Sequence, residues 1–256
     1  MKKANGPASI PSNALNIIKS EISAPLAEIF NLSFSTGIFP EVLKTAKVIP
    51  VYENKGSTTD CSNYRPISLL SNLDKVLEKL IYKRAYSFLN RFKLLYIRQF
   101  GFRRKHSTTH TLVNLCQKIS DALDESKFVC GVFVDLQKAF DTVDHDILLA
   151  KLRHYGIRGK AFTLFKSYLT GRKQFVTISG HSSTELLVKH GVPQGSVLGP
   201  LLFLIYINDL QSAIKFSIVH LFADDKNLLC ITDSLDSLIE RINSDLQSLW
   251  ELAQCQ

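Results

Sequence analysis

Val219-His220-Leu221-Phe222-Ala223-Asp224-Asp225 is an apolar run ending in two adjacent carboxylates, and a second apolar run, Asn227 to Thr232, follows at once. Two such runs around a polar tetrad, Ser217–Phe222 and Asn227–Thr232, read as a β-hairpin. Far upstream, Val129 to Val134 is another apolar strand, and it too ends in a carboxylate, Asp135. An apolar strand with a terminal acid holds a charge rigidly at the edge of a core. Asp135 and Asp224 stand 89 residues apart, so only folding can bring them together. Clustered carboxylates repel one another, and taking them out of water is costly. A hard divalent cation relieves both problems, and magnesium accepts carboxylates together with phosphate oxygens of a substrate. The residues alone leave plainer readings open. Asp-Asp at a hairpin tip is ordinary turn chemistry, and Asp135 could cap a helix starting near Leu136.

Charge distribution points to a partner. The net charge is +8, and the acids are unevenly placed. Lys79 to Ser120 holds 10 Lys/Arg and Ile147 to Thr184 holds 7, and neither window contains an Asp or Glu, although the chain has 23 of them. Tyr82, Tyr86, Phe88, Phe92, Tyr96, Phe100 and Phe102 are interleaved with the first group. Most of these rings read as core, but two acid-free basic windows favour a polyanion. The five cysteines are odd in number and form no Cys-x-x-Cys pair, which predicts reduced thiols in an intracellular, cytoplasmic or nuclear setting and no cysteine zinc site. No secretory leader is visible, and the most apolar run, Val197 to Ile207, is too short to span a bilayer and reads as a buried helix.

The remaining elements follow from periodicity and punctuation. Helices are expected over Pro25–Ser35 (stopped by Gly37), from an Asn72 cap to Phe92 with Val76, Leu77, Leu80 and Ile81 on one face, and from a Ser107 cap to Leu123. Further helices are expected over His145–Tyr155, Lys160–Leu169, Pro200–Asp209 and along the stripe from Leu235 to Trp250. Val48–Tyr52, Gln174–Ser179 and Glu185–Lys189 read as strands, and Glu53–Asn63 as a loop. Strands and helices mix without regular alternation, which predicts an α+β fold.

Five blocks, in order, give the sequence a family likeness. Asn63-Tyr64-Arg65-Pro66-Ile67-Ser68-Leu69-Leu70, Gln99-Phe100-Gly101-Phe102-Arg103, the stretch from Val134-Asp135 through Ala139-Phe140-Asp141 to His145, Gly191-Val192-Pro193-Gln194-Gly195-Ser196-Val197-Leu198-Gly199-Pro200 and Phe222-Ala223-Asp224-Asp225 resemble the blocks of reverse transcriptases from non-LTR retrotransposons. The resemblance implies a right-hand polymerase fold. Fingers would occupy 1–127 and a palm with an antiparallel sheet 128–256, and the chain would stop before a thumb. It implies an RNA-directed DNA polymerase transferring deoxynucleotides to a primer 3′-hydroxyl through two magnesium ions, or manganese in their place. Partners would be an RNA template, a DNA primer and deoxynucleoside triphosphates, with no membrane and no stated oligomeric state. Asp135, Asp224 and Asp225 match the catalytic metal ligands. Arg65, Phe140, Gln194 and Gly195 match positions around the incoming nucleotide, Phe140 as the ring that would collide with a 2′-hydroxyl. Arg103, Arg104 and Lys105 are candidates for template backbone contact. Asp141, Asp144 and Asp146 read as helix-start acids. His106 and His110, four apart, have no third ligand near them in sequence and read as solvent or phosphate contacts.

Two positions depart from the pattern. Ala8 stands where the family usually has an Asp-Gly pair nearby, and Lys226 follows the aspartates where the family favours a small polar residue. A lysine there suggests an alternative: a catalytically decayed remnant that still binds nucleic acid. A two-metal nuclease would use similar acids but gives no reason for Phe140 or Gln194-Gly195.

Overall fold

A computed structural model of the chain describes residues 6–7, 10–136 and 138–254. Ala8, Gln137 and Cys255, which entered the reading above, lie outside the described residues. In chain order the elements are α1 (Ser12–Ile17), α2 (Lys19–Thr36), β1 (Thr45–Tyr52), β2 (Tyr64–Leu69), α3 (Asn72–Arg91), α4 (Thr108–Asp124), β3 (Phe128–Val134), α5 (His145–His154), α6 (Gly159–Leu169), β4 (Lys173–Ile178), β5 (His181–Ser182), β6 (Leu186–Leu187), α7 (Gly199–Ile207), β7 (Ile218–Phe222), β8 (Asp225–Thr232) and α8 (Leu235–Gln254). They gather into two compact units, each built from two separate stretches: residues 1–88 with 140–202, and residues 89–139 with 203–256.

The first unit carries a mixed five-stranded sheet of order β2-β1-β4-β5, with β6 also on β4. β1 runs antiparallel to β2 and parallel to β4. β2 was not among the expected strands, and it contains Pro66, which a strand accommodates only where its missing N–H is not needed. It forms because β2 lies at the sheet edge, where a missing N–H is tolerated. Its ladder partner Pro50 escapes for a related reason: β1 pairs with β4 only over Thr45–Val48, so Pro50 has no strand on its other side. Two helix starts also shift. Pro25 lies inside α2 instead of opening it, on an exposed turn where water can take the carbonyl that its missing N–H leaves. At α3 the Ser71 hydroxyl, not Asn72, accepts the Asp74 amide, at 3.0 Å, while the Asn72 side chain donates to the Ile10 carbonyl. Of the expected apolar face of α3, Leu77 and Ile81 are buried, whereas Val76 and Leu80 are about 40% exposed.

The second unit is organised around the antiparallel sheet β3-β8-β7. Leu228 and Cys230 of β8 pack against Leu238 and Ile242 of α8, with Cys130, Val132 and Val134 of β3 alongside. Leu235, Ile239 and Trp250, though part of the same stripe, are more than half exposed, so the buried seam of α8 is narrower than its apolar face. Asp245, fully buried on α8, accepts the backbone amides of Lys215 at 2.9 Å, Phe216 at 3.2 Å and Ser217 at 2.7 Å. A carboxylate thus ties the entry to β7 onto the helix that covers the sheet. Ser107 caps α4 through the His110 amide, as its sequence predicts. Among the described residues no helix is long and apolar enough to cross a membrane.

Candidate active site

The second unit brings the three candidate acids to one end of its sheet. β7 and β8 are joined by a tight hairpin in which Phe222 pairs with Asp225, leaving Ala223 and Asp224 as the turn. On the other side of β8, Val134 pairs with Lys226, so one further step along the chain sets Asp135 level with Asp225. The acids feel one another: partial burial first, then the charges of Asp224 and Asp135, push the Asp225 carboxyl above its ordinary range. Among the described residues no three Asp, Glu, His or Cys side chains already converge as ligands of one ion. The donor set is nevertheless that of a hard cation, since all three donors are carboxylates and their mutual repulsion is what such an ion relieves.

A loop holds the turn in place. Gln99 is 1% exposed, and its side-chain carbonyl accepts the Gly101 amide at 2.9 Å and the Ala223 amide at 3.3 Å. The Phe100 amide donates to the Leu221 carbonyl at 2.8 Å, and the Leu221 amide to the Arg98 carbonyl at 3.0 Å. Gly101 presses so closely on the turn that a Cβ there would lie 2.0 Å from the Ala223 nitrogen. Ala223 itself has φ 57°, a strained backbone for alanine, and it persists because these contacts over-determine it. The Gln99-to-Arg103 block was read as a fingers motif; its role as a brace for the Asp224-Asp225 turn was not read, and no local pattern could have revealed a contact spanning more than 120 residues.

Lys226 adds a cation to the same sheet end. It is 1% exposed, and its ammonium donates to the Asp224 carbonyl at 3.4 Å. Burial pulls its pKa down to about 8 against the upward pull of Asp224, Asp135 and Asp225.

Arg103 turns its guanidinium inward, donating to the carbonyls of Tyr96 at 2.8 Å and Gln99 at 3.2 Å. Arg104 and Lys105 are exposed. Lys105 lines an open groove of about 550 Å³ with Phe100, His106, His110, Asn114 and Gln117. His106 and His110 sit with ring centroids 6.4 Å apart. Behind them His220, fully buried, bonds Asn114 at 2.8 Å, and burial holds its imidazole below its ordinary pKa.

The first unit holds the remaining candidates. Gln194 lies in a turn before α7: its carbonyl accepts the Ser68 amide at 2.7 Å and its side-chain amide donates to Asp141 at 3.1 Å. Gly195, at φ 108°, sits where a Cβ would meet the Ser68 carbonyl oxygen at 2.7 Å, so only glycine fits. The Phe140 carbonyl accepts the Val192 amide at 2.8 Å. Arg65, on β2, is exposed and bonds Glu53 at 3.0 Å. Of the three expected helix-start acids, Asp144 caps α5 through the amides of Asp146 and Ile147, Asp146 sits in its first turn, and Asp141 instead receives Gln194.

Comparison with known proteins decides the family. Residues 53–252 match the model of the reverse transcriptase (RNA-dependent DNA polymerase) family. The chain belongs to the reverse transcriptase family. The resemblance to non-LTR elements is borne out by the relatives. The chain is 31% identical over 239 residues to the "RNA-directed DNA polymerase from mobile element jockey" of Drosophila melanogaster, covering 93% of this chain and 26% of that protein. It is 34% identical over 216 residues to the "Probable RNA-directed DNA polymerase from transposon BS" of the same fly (82% of this chain, 23% of the other). It is 29% identical over 248 residues to the type-1 retrotransposable element R1 polyprotein of Bradysia coprophila (94% and 24%). The chain therefore spans about a quarter of the length of these reverse transcriptase relatives.

Proposed function

We propose that this chain is the part of a non-LTR retrotransposon reverse transcriptase that performs RNA-directed DNA synthesis in an intracellular setting, with fingers over 1–127 and a palm over 128–256. The observation that carries the reading is the register that sets Asp135 level with the Asp224-Asp225 hairpin. Asp135, Asp224 and Asp225 would hold the divalent ions, magnesium or manganese. When bound, such ions lower the cost of deprotonating a primer 3′-hydroxyl and neutralise charge on the transferring phosphate. The protein's own part is to keep three carboxylates on a stiff sheet end, braced by Gln99 and Gly101. In this reading Gln194 and Gly195 border the incoming nucleotide and Arg65 offers its planar fork to the triphosphate. Phe140 excludes a 2′-hydroxyl. The groove beside Lys105 carries single-stranded template: its rings stack bases, and lysine with the neighbouring arginine neutralises phosphates.

The test is primer extension on an RNA template with magnesium and deoxynucleotides. The wild-type chain is expected to extend the primer, and Asp224→Asn and Asp135→Asn, both folded, to fall to background. Equal signal from wild type and variants would reject catalysis by these acids.

The burial of Lys226 favours a second reading, in which the chain binds RNA but turns over poorly. A fixed ammonium amid the acids competes with the ion for their charge. This reading expects salt-sensitive RNA binding without extension, and extension gained on Lys226→Thr. Extension by the wild type at the rate of Lys226→Thr would discard it.

A further inference from the structure

The first unit contains a buried ionic cluster that the chemistry above does not use. Asp74 and Glu78 of α3, Tyr168 of α6 and Arg172 before β4 are each no more than 1% exposed. Taking acids and a guanidinium out of water is costly, so such a cluster persists only where its bonds are well made. Those of Glu78 are. One carboxylate oxygen accepts the Tyr168 hydroxyl at 2.6 Å and the other accepts the Val197 amide at 2.6 Å. Burial raises the Glu78 pKa, and the bonds from Tyr168, Val197 and Leu198 pull against that rise. Arg172 lies over the Tyr168 ring, 4.6 Å from its centroid, and approaches Asp74 at 3.8 Å.

Val197 and Leu198 lead into α7, so the Glu78 carboxylate sits at a helix N-terminus, where free N–H groups and the helix dipole favour an anion. They also close the turn that contains Gln194 and Gly195. The other end of that turn is fastened by different means: the Gly191 amide on the Val143 carbonyl at 2.7 Å and the Val192 amide on the Phe140 carbonyl at 2.8 Å. Its middle rests on Ser68. Glu78 secures the exit together with Ser196, whose hydroxyl donates to the Pro193 carbonyl at 2.8 Å and accepts the Gly199 amide at 2.8 Å.

We propose that Glu78 is a positioning residue for nucleotide binding: its carboxylate, oriented by Tyr168, fixes the exit of the Pro193-Gln194-Gly195 turn through the Val197 amide. The proposal rests on the reading of Gln194 and Gly195 as neighbours of the incoming nucleotide. Glu78→Gln keeps the shape but turns an amide donor toward either Val197 or Tyr168, and Tyr168→Phe removes one of the two orienting bonds without touching the turn.

The experiment has two readouts on the whole chain. Amide exchange followed by mass spectrometry reports the local anchor, and titration with a fluorescent deoxynucleoside triphosphate in magnesium reports binding, with Gln194→Ala as the reference. Glu78→Gln is expected to speed exchange at 194–198 at least tenfold with α2 and α5 unchanged, and to weaken nucleotide binding about as much as Gln194→Ala. Tyr168→Phe is expected to shift both readouts in the same direction by a smaller factor. Unchanged exchange at 194–198 in both folded variants would overturn the anchor. Faster exchange with wild-type affinity, while Gln194→Ala binds weakly, would overturn the positioning role and spare the turn. Wild-type affinity in Gln194→Ala itself would overturn the proposal by removing the nucleotide reading it rests on.

Discussion

Single residues here act mainly by what they force on a backbone. Gly101 has no room for a Cβ against the Ala223 nitrogen, so Gly101→Ala must push the Asp224-Asp225 turn away or break its contacts with Gln99. Backbone strain of this kind costs on the order of 1–3 kcal/mol. The variant is expected to lose that much stability by chemical denaturation and to lose metal affinity with it; a fully stable Gly101→Ala would mean the brace is slack. Lys226 acts through charge. Replacing it by threonine removes an ammonium from beside three acids, and manganese affinity is expected to rise by roughly tenfold, the equivalent of about 1.4 kcal/mol. An unchanged affinity would show that the ammonium does not compete with the ion. The acids themselves were legible from sequence, because a charge ending an apolar strand is a local pattern. Gln99 and Glu78 were not legible in their roles, since each is defined by a partner distant in sequence; Lys226 stood out beside the aspartates, but its burial was not legible.

At the scale of elements, buried carboxylates tie segments together. Asp245 gathers the amides of Lys215, Phe216 and Ser217 ahead of β7, and hydrogen bonds to a charged group contribute about 1.5–3 kcal/mol. Asp245→Ala is expected to destabilise the chain by about 3 kcal/mol in urea melts, which a loss below 1 kcal/mol would contradict. Asp74 imposes a pH dependence. Burial, and then the charge of Glu78, raise its pKa to about 8, against the downward pull of Arg172 and Lys75. A folded pKa above the unfolded one means that the folded state holds the proton more tightly, so stability falls as pH climbs from the ordinary carboxylate range through about 8. Asp74→Asn removes this loss: its stability relative to wild type is expected to improve by about 4 kcal/mol between pH 5 and pH 8.5, and parallel pH profiles would refute the shift. Long helices and the β7–β8 hairpin were readable because their signals are periodic and local. β2 and the true start of α2 were hidden because edge position and solvent exposure, which excuse Pro66 and Pro25, are tertiary properties.

At the scale of the whole molecule, the decisive feature is the pairing of carboxylates with basic, acid-free stretches. The fold class followed from the mixture of patterns, whereas the interleaving of two units, 1–88 with 140–202 and 89–139 with 203–256, had no sequence signal, since discontinuous units look like continuous chain. The basic windows predict RNA binding that weakens with salt. Lys105→Ala is expected to weaken binding across sequences and to reduce the slope of log affinity against log salt by about 0.7, the value for one phosphate on a single strand. An unaltered slope would move the template away from the groove.

The central claim is that Asp135 and the Asp224-Asp225 hairpin share divalent ions. Manganese titration followed by electron paramagnetic resonance measures this without requiring turnover. The wild type is expected to bind manganese at a site that Asp135→Asn and Asp224→Asn weaken alike, because each removes a ligand of the same ion. Binding by Asp135→Asn at wild-type affinity, with loss only in Asp224→Asn, would show that the distant strand does not contribute, and the polymerase account would fail there.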